Sequence, residues 1–159
     1  MEPQPEFLHK ELTEKIIGVF YDVYNELGHG FLESVYRESM CIALRQAGLK
    51  VETEVPIPVF FRGCTVGMFR ADLIVEDKVI LEVKAARDLD SGDEAQTLNY
   101  LKATPIEVAL LMNFGPKPRF RRFAFSNSRK QHRELCRDIN PETDEYLKQW
   151  MTQRDTDKI

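Results

Sequence analysis

The sequence is short of the side chains that build most metal and redox sites. Its three cysteines, Cys41, Cys64 and Cys136, lie far apart with no C-x-x-C spacing. An odd, scattered set argues against a disulfide framework and against thiolate-held zinc or iron–sulfur, and fits reduced thiols in a cytosol. The three histidines, His9, His29 and His132, are equally dispersed, which speaks against an imidazole-based metal site. Long apolar runs are missing as well. "VALLM" and "VILEV" are far too short to cross a bilayer. The opening "MEPQPEFLHKEL" lacks the basic-then-apolar layout of a secretory signal. The expectation is a cytoplasmic protein with no membrane partner.

What is present is ordinary in bulk. The 159 residues suit one domain with one real core, and 43% hydrophobic with 30% charged residues is typical of a folded soluble chain. Charge, however, is unevenly placed. From Lys117 to Arg133, "KPRFRRFAFSNSRKQHR" holds seven Lys or Arg and no acid; subtracting these from the net charge of -4 leaves the rest at -11. Lys117, Arg119, Arg121 and Arg122 could face an anionic ligand, or simply solvate and protect a strand edge.

Periodicity divides the chain into elements. Leu12, Ile16, Val19, Phe20, Val23, Tyr24 and Leu27 form one helical stripe between about Glu6 and Leu27, ended by "GHG". A second helix is expected from about Leu32 to Gln46, with Val35, Met40, Ile42, Ala43 and Leu44 apolar. "VETEVPIPVFF", "CTVGMFRADLIV" and "KVILEVKA" read as three antiparallel strands. A third helix begins at Ser91 or Gly92, with Ser as cap and acids in its first turn. "PIEVALLMNF" reads as a buried strand and "PRFRRFAFS" as an edge strand. Residues 1–126 are taken as the domain and 127–159 as a polar tail, with a helix in "PETDEYLKQW" beginning at Pro141. The order α-α-β-β-β-α-β-β-α describes an α/β fold with a mixed β-sheet flanked by helices.

One stretch carries costly charge in apolar surroundings: "DLIVEDKVILEVK", from Asp72 to Lys84. Strand alternation puts Glu82 and Lys84 on one side and Leu81 and Val83 on the other. Asp72 stands opposite Glu82 only if the hairpin turn is centred on Asp77, which requires an odd-length loop, Glu76-Asp77-Lys78, or a bulge. Two adjacent carboxylates repel unless a cation lies between them. Mg²⁺, hard and oxygen-seeking, would resolve that conflict, with the Val83 carbonyl as an added ligand and Lys84 beside the reacting phosphate. Alternatively, these residues form exposed salt bridges on a solvated sheet face. Arg70, two residues before Asp72, should share its face and either reach a phosphate or pair with Glu82.

"ADLIVEDKVILEVKA" resembles the core of the PD-(D/E)XK nuclease superfamily, whose elements run α-β-β-β-α-β. "GFLESVY" (Gly30 to Tyr36) has the form G-x-x-E-x-x-Y, and "QTLNY" (Gln96 to Tyr100) the form Q-x-x-x-Y of RecB-like members. Together they resemble the GxxExxY protein family, a small bacterial and archaeal group placed in that superfamily, over about Thr13 to Phe125. The resemblance implies a restriction-endonuclease-like core and a nuclease that uses Mg²⁺ or Mn²⁺. It implies Asp72, Glu82, Glu33 and the Val83 carbonyl as metal ligands, Lys84 as manager of the attacking water, and Gln96 and Tyr100 as positioning groups. Each implied role also has a bland counterpart: Tyr36 and Tyr100 as core aromatics, Gln96 as a solvated amide. One departure stands out: Asp93 occupies the place before "EAQ" where a histidine is common in the family, and it could start the helix or act as a distant ligand.

The function expected is a metal-dependent phosphodiesterase acting on nucleic acid, DNA in the first instance, with little sequence specificity because no base-reading element is evident. Arg70, Lys117, Arg119, Arg121 and Arg122 would contact the backbone. The competing readings are a catalytically silent nucleic-acid- or protein-binding module that keeps the fold, and a hydrolase of another phosphoester such as a nucleotide.

Overall fold

Residues 8–130 are described by the structure, a computed structural model. They run α1 (Lys10–Leu27), α2 (Glu33–Gln46), β1 (Val51–Phe61), β2 (Cys64–Val75), β3 (Val79–Lys84), α3 (Ser91–Ala103), β4 (Val108–Phe114) and β5 (Pro118–Ala124), closing with a 3-10 turn at Asn127–Arg129. The expected helix at Pro141 lies outside the described residues.

The five strands form one sheet in sequence order, β1-β2-β3-β4-β5. β3 and β4 are parallel, joined by the α3 crossover, and the other neighbours are antiparallel. The sheet is therefore mixed, and the α/β class with flanking helices holds. Its two parallel strands are buried on both faces, which is why "VILEV" and "VALLMNF" read as continuous apolar runs rather than as alternation.

α1 and α2 cover one face. Ile16, Val19, Phe20, Tyr36, Met40, Cys41 and Leu44 pack there on Leu73, Leu81, Val83, Leu110 and Met112. Cys41, rather than the expected Ile42, points inward; Ile42 is 58% exposed. α1 stops at Gly28, whose N–H closes the last helical bond to the Tyr24 carbonyl and whose positive φ (68°) then turns the chain away. α3 covers the other face, with Tyr100 and Leu101 against Ile57, Ala71, Ile74, Ile80 and Ala109. The cap of α3 is Asp90 rather than Ser91: Asp90 and Asp93 accept each other's backbone N–H in a capping box, at 2.8 and 3.2 Å.

The hairpin between β2 and β3 has the three-residue loop Glu76-Asp77-Lys78, with Val75 opposite Val79 and Leu73 opposite Leu81. Glu76 and Asp77 both take positive φ, and Lys50 holds the turn, donating from Nζ to Asp77 at 2.9 Å and from its backbone to Glu76 at 2.8 Å. A second irregularity lies in the β1–β2 ladder. Glu54 has φ 50° and drops out of register, while Thr53 still faces Leu73 and Val55 still faces Ala71. Across this point the strands change sides: Leu73 and Val75 face α1 and α2, whereas Ala71 and Phe69 face α3. Simple alternation therefore does not carry through from Arg70 to Asp72.

Candidate active site

The β2–β3 ladder ends at Leu73 and Leu81. Just beyond it, side chains replace the missing backbone pairing. The Asp72 N–H donates to Glu82 Oε1 at 3.1 Å, and the Val83 N–H donates to Asp72 Oδ2 at 2.8 Å. Both acids are nearly buried, 9% exposed for Asp72 and 3% for Glu82. Burial first, and the neighbouring Asp72 charge second, push the Glu82 carboxyl far above the usual carboxylate range, up to about 9.

Cations surround the pair unevenly. Arg37, on α2, brings one guanidinium nitrogen to 3.8 Å from Asp72 Oδ1 and another to 3.6 Å from Glu54, while its buried Nε has no hydrogen-bond partner. Arg70 lies 3.7 Å from the same Glu54 carboxylate instead of against Glu82. Lys84 Nζ stands 3.9 Å from Asp93 on α3. Glu33, the first residue of α2, is half-buried. Its pKa is raised chiefly by burial, opposed by Lys84 and reinforced by Asp72, so it shares the electrostatic neighbourhood of the pair. Among the described residues, no group of three or more His, Cys, Asp or Glu side chains converges closely enough to hold an ion. The carboxylate core of the site is thus the Asp72–Glu82 pair, with Glu33 beside it.

α3 supplies the opposite wall. Tyr100 is buried, its ring edge-on to Phe69 at 5.3 Å, and its pKa is raised by burial and then by the charges of Glu82 and Asp72. Its phenol therefore stays protonated, within electrostatic reach of the two acids. Gln96, one turn earlier, is half-buried. Tyr36 behaves as a core residue: it is fully buried, donates to the Gly28 carbonyl at 2.6 Å and accepts from the Phe31 N–H at 3.2 Å, which pins the turn preceding Glu33.

The loop after β3 is fastened from β4. Asn113, buried, accepts from the Ala86 N–H and donates to the Ala86 carbonyl, both at 2.9 Å. Gly115 lies so close that a Cβ there would collide with the Ala86 carbonyl oxygen. Sheet register then aligns a basic strand with the site. Glu82 neighbours Leu111, which neighbours Arg121; Lys84 neighbours Asn113, which neighbours Arg119. Arg119 and Arg121 hence share the sheet face of Glu82 and Lys84, about 10 Å away. Arg121 binds Glu94 at 2.6 Å, and Arg122, on the opposite face, donates to the Leu8 carbonyl. Lys117 and Arg119 are exposed.

Comparison with known proteins gives this geometry a family. A family model described as the PD-(D/E)XK nuclease superfamily matches residues 10–123, most of the chain. The chain belongs to the PD-(D/E)XK nuclease superfamily. Its name spells a motif that Asp72, Glu82 and Lys84 fill, with Ala71 in the place of the proline. One solved structure that matches, that of SSO0001, is 17% identical with a TM-score of 0.47, covering 76% of this chain; the chain spans 58% of that one. No curated protein matches at a significant level. No helix among the described residues is long and apolar enough to cross a membrane.

PD-(D/E)XK nucleases typically use divalent metals, and the donor set here fits one. Two nearly buried carboxylates lie against each other, and burial, with the neighbouring Asp72 charge second, drives Glu82 to hold a proton. Sequence reasoning overlooked Arg37, Glu54, Asn113 and the Asp90 cap. Arg37 had a signal, since it follows Glu33 by one helical turn. Asn113 had one too, as the single polar residue in "VALLMNF".

Proposed function

We propose that this PD-(D/E)XK protein is a Mg²⁺- or Mn²⁺-dependent nuclease that hydrolyses phosphodiester bonds, of DNA in the first instance, with little sequence specificity. The observation that carries the reading is the pair of hydrogen bonds from the Asp72 N–H to Glu82 and from the Val83 N–H to Asp72, which hold the two carboxylates together two residues from Lys84. Asp72, Glu82 and the Val83 carbonyl would hold the ion, with Glu33 assisting. The ion, when bound, supplies charge stabilisation for the phosphoryl group and acidifies water.

The chain's own groups do the rest. Lys84, released from Asp93, orients the water that attacks and offsets charge on the phosphate. Tyr100 donates from its protonated phenol, and Gln96 lends an amide for positioning. Arg70, Lys117, Arg119 and Arg121 track the backbone phosphates, a sequence-independent contact, whereas Arg122, expected to join them, lies on the opposite face against the Leu8 carbonyl.

Cleavage of labelled DNA with Mg²⁺ or Mn²⁺ tests this. The wild type cuts, and Asp72→Asn or Lys84→Ala lowers the rate by roughly two orders of magnitude or more. Cutting indifferent to both changes would sink the site. A second reading, a binding module that keeps the fold without hydrolysis, draws on Arg37, whose guanidinium already compensates Asp72. Metal-independent binding without cleavage would favour it.

A further inference from the structure

A groove of about 320 Å³ opens on the α3 side, between the far part of the β1–β2 hairpin and α3. Pro58, Val59, Phe60, Phe69 and Ala103 give it apolar walls, and Asn99 and Lys102 stand as its polar members. The β1–β2 register slips between Val59 and Phe60, both in the groove wall. We propose that this groove receives one unpaired nucleobase of the strand being cut, so that the substrate is single-stranded or locally splayed nucleic acid rather than intact duplex. This rests on the nuclease reading above and names its substrate class.

The groove adjoins the site's α3 wall through one ring contact. Phe69, in its wall, touches the Tyr100 ring, and the Tyr100 phenol responds to Glu82 and Asp72. Phe69 is three residues from Asp72, about 10 Å along the strand. A strand whose phosphate lies at the carboxylate pair therefore carries a neighbouring base within reach of the groove. The chemistry of the lining matches such a base. Phe60 and Phe69 offer aromatic surface for stacking, and Asn99, exposed on α3, offers both a donor and an acceptor to a base edge. The rim carries a cation, the exposed Lys102, which suits a polyanionic strand. A base inside a duplex cannot enter, because its faces are covered by its neighbours and its edge is occupied by its partner. Sequence-tolerant stacking also agrees with the absence of a base-reading element.

Binding of three fluorescent probes in EDTA separates the groove from the chemistry: a dT 20-mer, an abasic strand of equal length and charge, and a blunt 20-base-pair duplex. Wild type should bind the dT strand about tenfold or more tighter than the abasic strand, and Phe60→Ala should remove most of that difference. Asn99→Ala, a surface change that leaves the hydrophobic walls intact, should remove part of it, with thermal melting confirming the fold of both variants. Equal affinity for dT and abasic strands, or a preference for the duplex unaffected by either variant, overturns the proposal and leaves the groove to another occupant, such as a protein segment. The nuclease reading fails separately: base-dependent binding with no cleavage of any probe in Mg²⁺ or Mn²⁺ removes the hydrolysis and keeps the groove.

Discussion

Asp72 and Glu82 face each other across the end of a β ladder, and each accepts a backbone N–H from the other's strand or its continuation. The carboxylates thus take over pairing that the diverging strands give up, and this keeps both acids nearly buried in spite of their mutual repulsion. The cost appears in Glu82. Its folded pKa lies above its unfolded value, so the native state holds a proton that the unfolded chain releases near 4.5. Stability from this group is complete below pH 4.5 and declines as pH rises toward about 9. Urea melts of the metal-free protein should show that decline, with a slope of up to about 1.4 kcal/mol per pH unit. Glu82→Gln should flatten the slope while abolishing cleavage.

The same proton competes with a cation. Divalent-metal affinity should climb with pH below about 9, by up to tenfold per unit, and one proton should leave for each ion bound. Calorimetric titration with Mn²⁺ in buffers of different ionisation enthalpy measures that proton directly. A constant affinity between pH 6 and 8 would contradict the shared-ion arrangement.

Arg37 stands in for part of the missing charge. Arg37→Gln leaves Asp72 without its guanidinium and Glu54 with Arg70 alone, so the metal-free protein should lose roughly 1–3 kcal/mol. Excess Mn²⁺ should restore more stability to this variant than to the wild type, read as the shift in denaturation midpoint.

Asn113 and Gly115 hold the loop that follows Lys84. Asn113→Ala removes two hydrogen bonds to Ala86 and should cost roughly 2–4 kcal/mol. Gly115→Ala would drive a methyl into the Ala86 carbonyl and should destabilise at least as much. Both should lower the cleavage rate more than substrate affinity, because they shift Lys84 and leave the basic strand in place.

Arg119 is exposed on the site's sheet face, two strands from Lys84. Arg119→Ala should weaken binding of all sequences alike and reduce the log–log salt slope by about 0.7 on single strands. Fluorescence anisotropy at several salt concentrations gives that slope.

The sequence announced much of this arrangement for reasons that can be named. Strand alternation and the requirement that Asp72 meet Glu82 demanded an odd turn about Asp77, and that loop is present. β1 and β2 coincide with the runs "VETEVPIPVFF" and "CTVGMFRADLIV". Other features depend on tertiary contacts with no local signature. The switch of sides at Glu54 and Asp72 arises from a left-handed residue that is not glycine, in a stretch that reads as plain strand. Arg70 was expected to copy the orientation of Asp72, and that switch intervenes. The cap of α3 was misread because Ser91 and Asp90 are both good cap residues, and only the reciprocal bond with Asp93 decides between them. Ile42 is exposed because the inward stripe of α2 passes through Cys41 and Leu44 instead.

The turn at Glu76-Asp77-Lys78 makes the chemistry of this protein a matter of parity. Shortening it by one residue would roll β3 half a turn about its axis, presenting Leu81 and Val83 to the cleft and thrusting Glu82 and Lys84 beneath α1 and α2. The clamp from Lys50 on Asp77 and Glu76 thereby guards an integer, and its loss would be felt at the far end of the hairpin, where Asp72 waits for its partner.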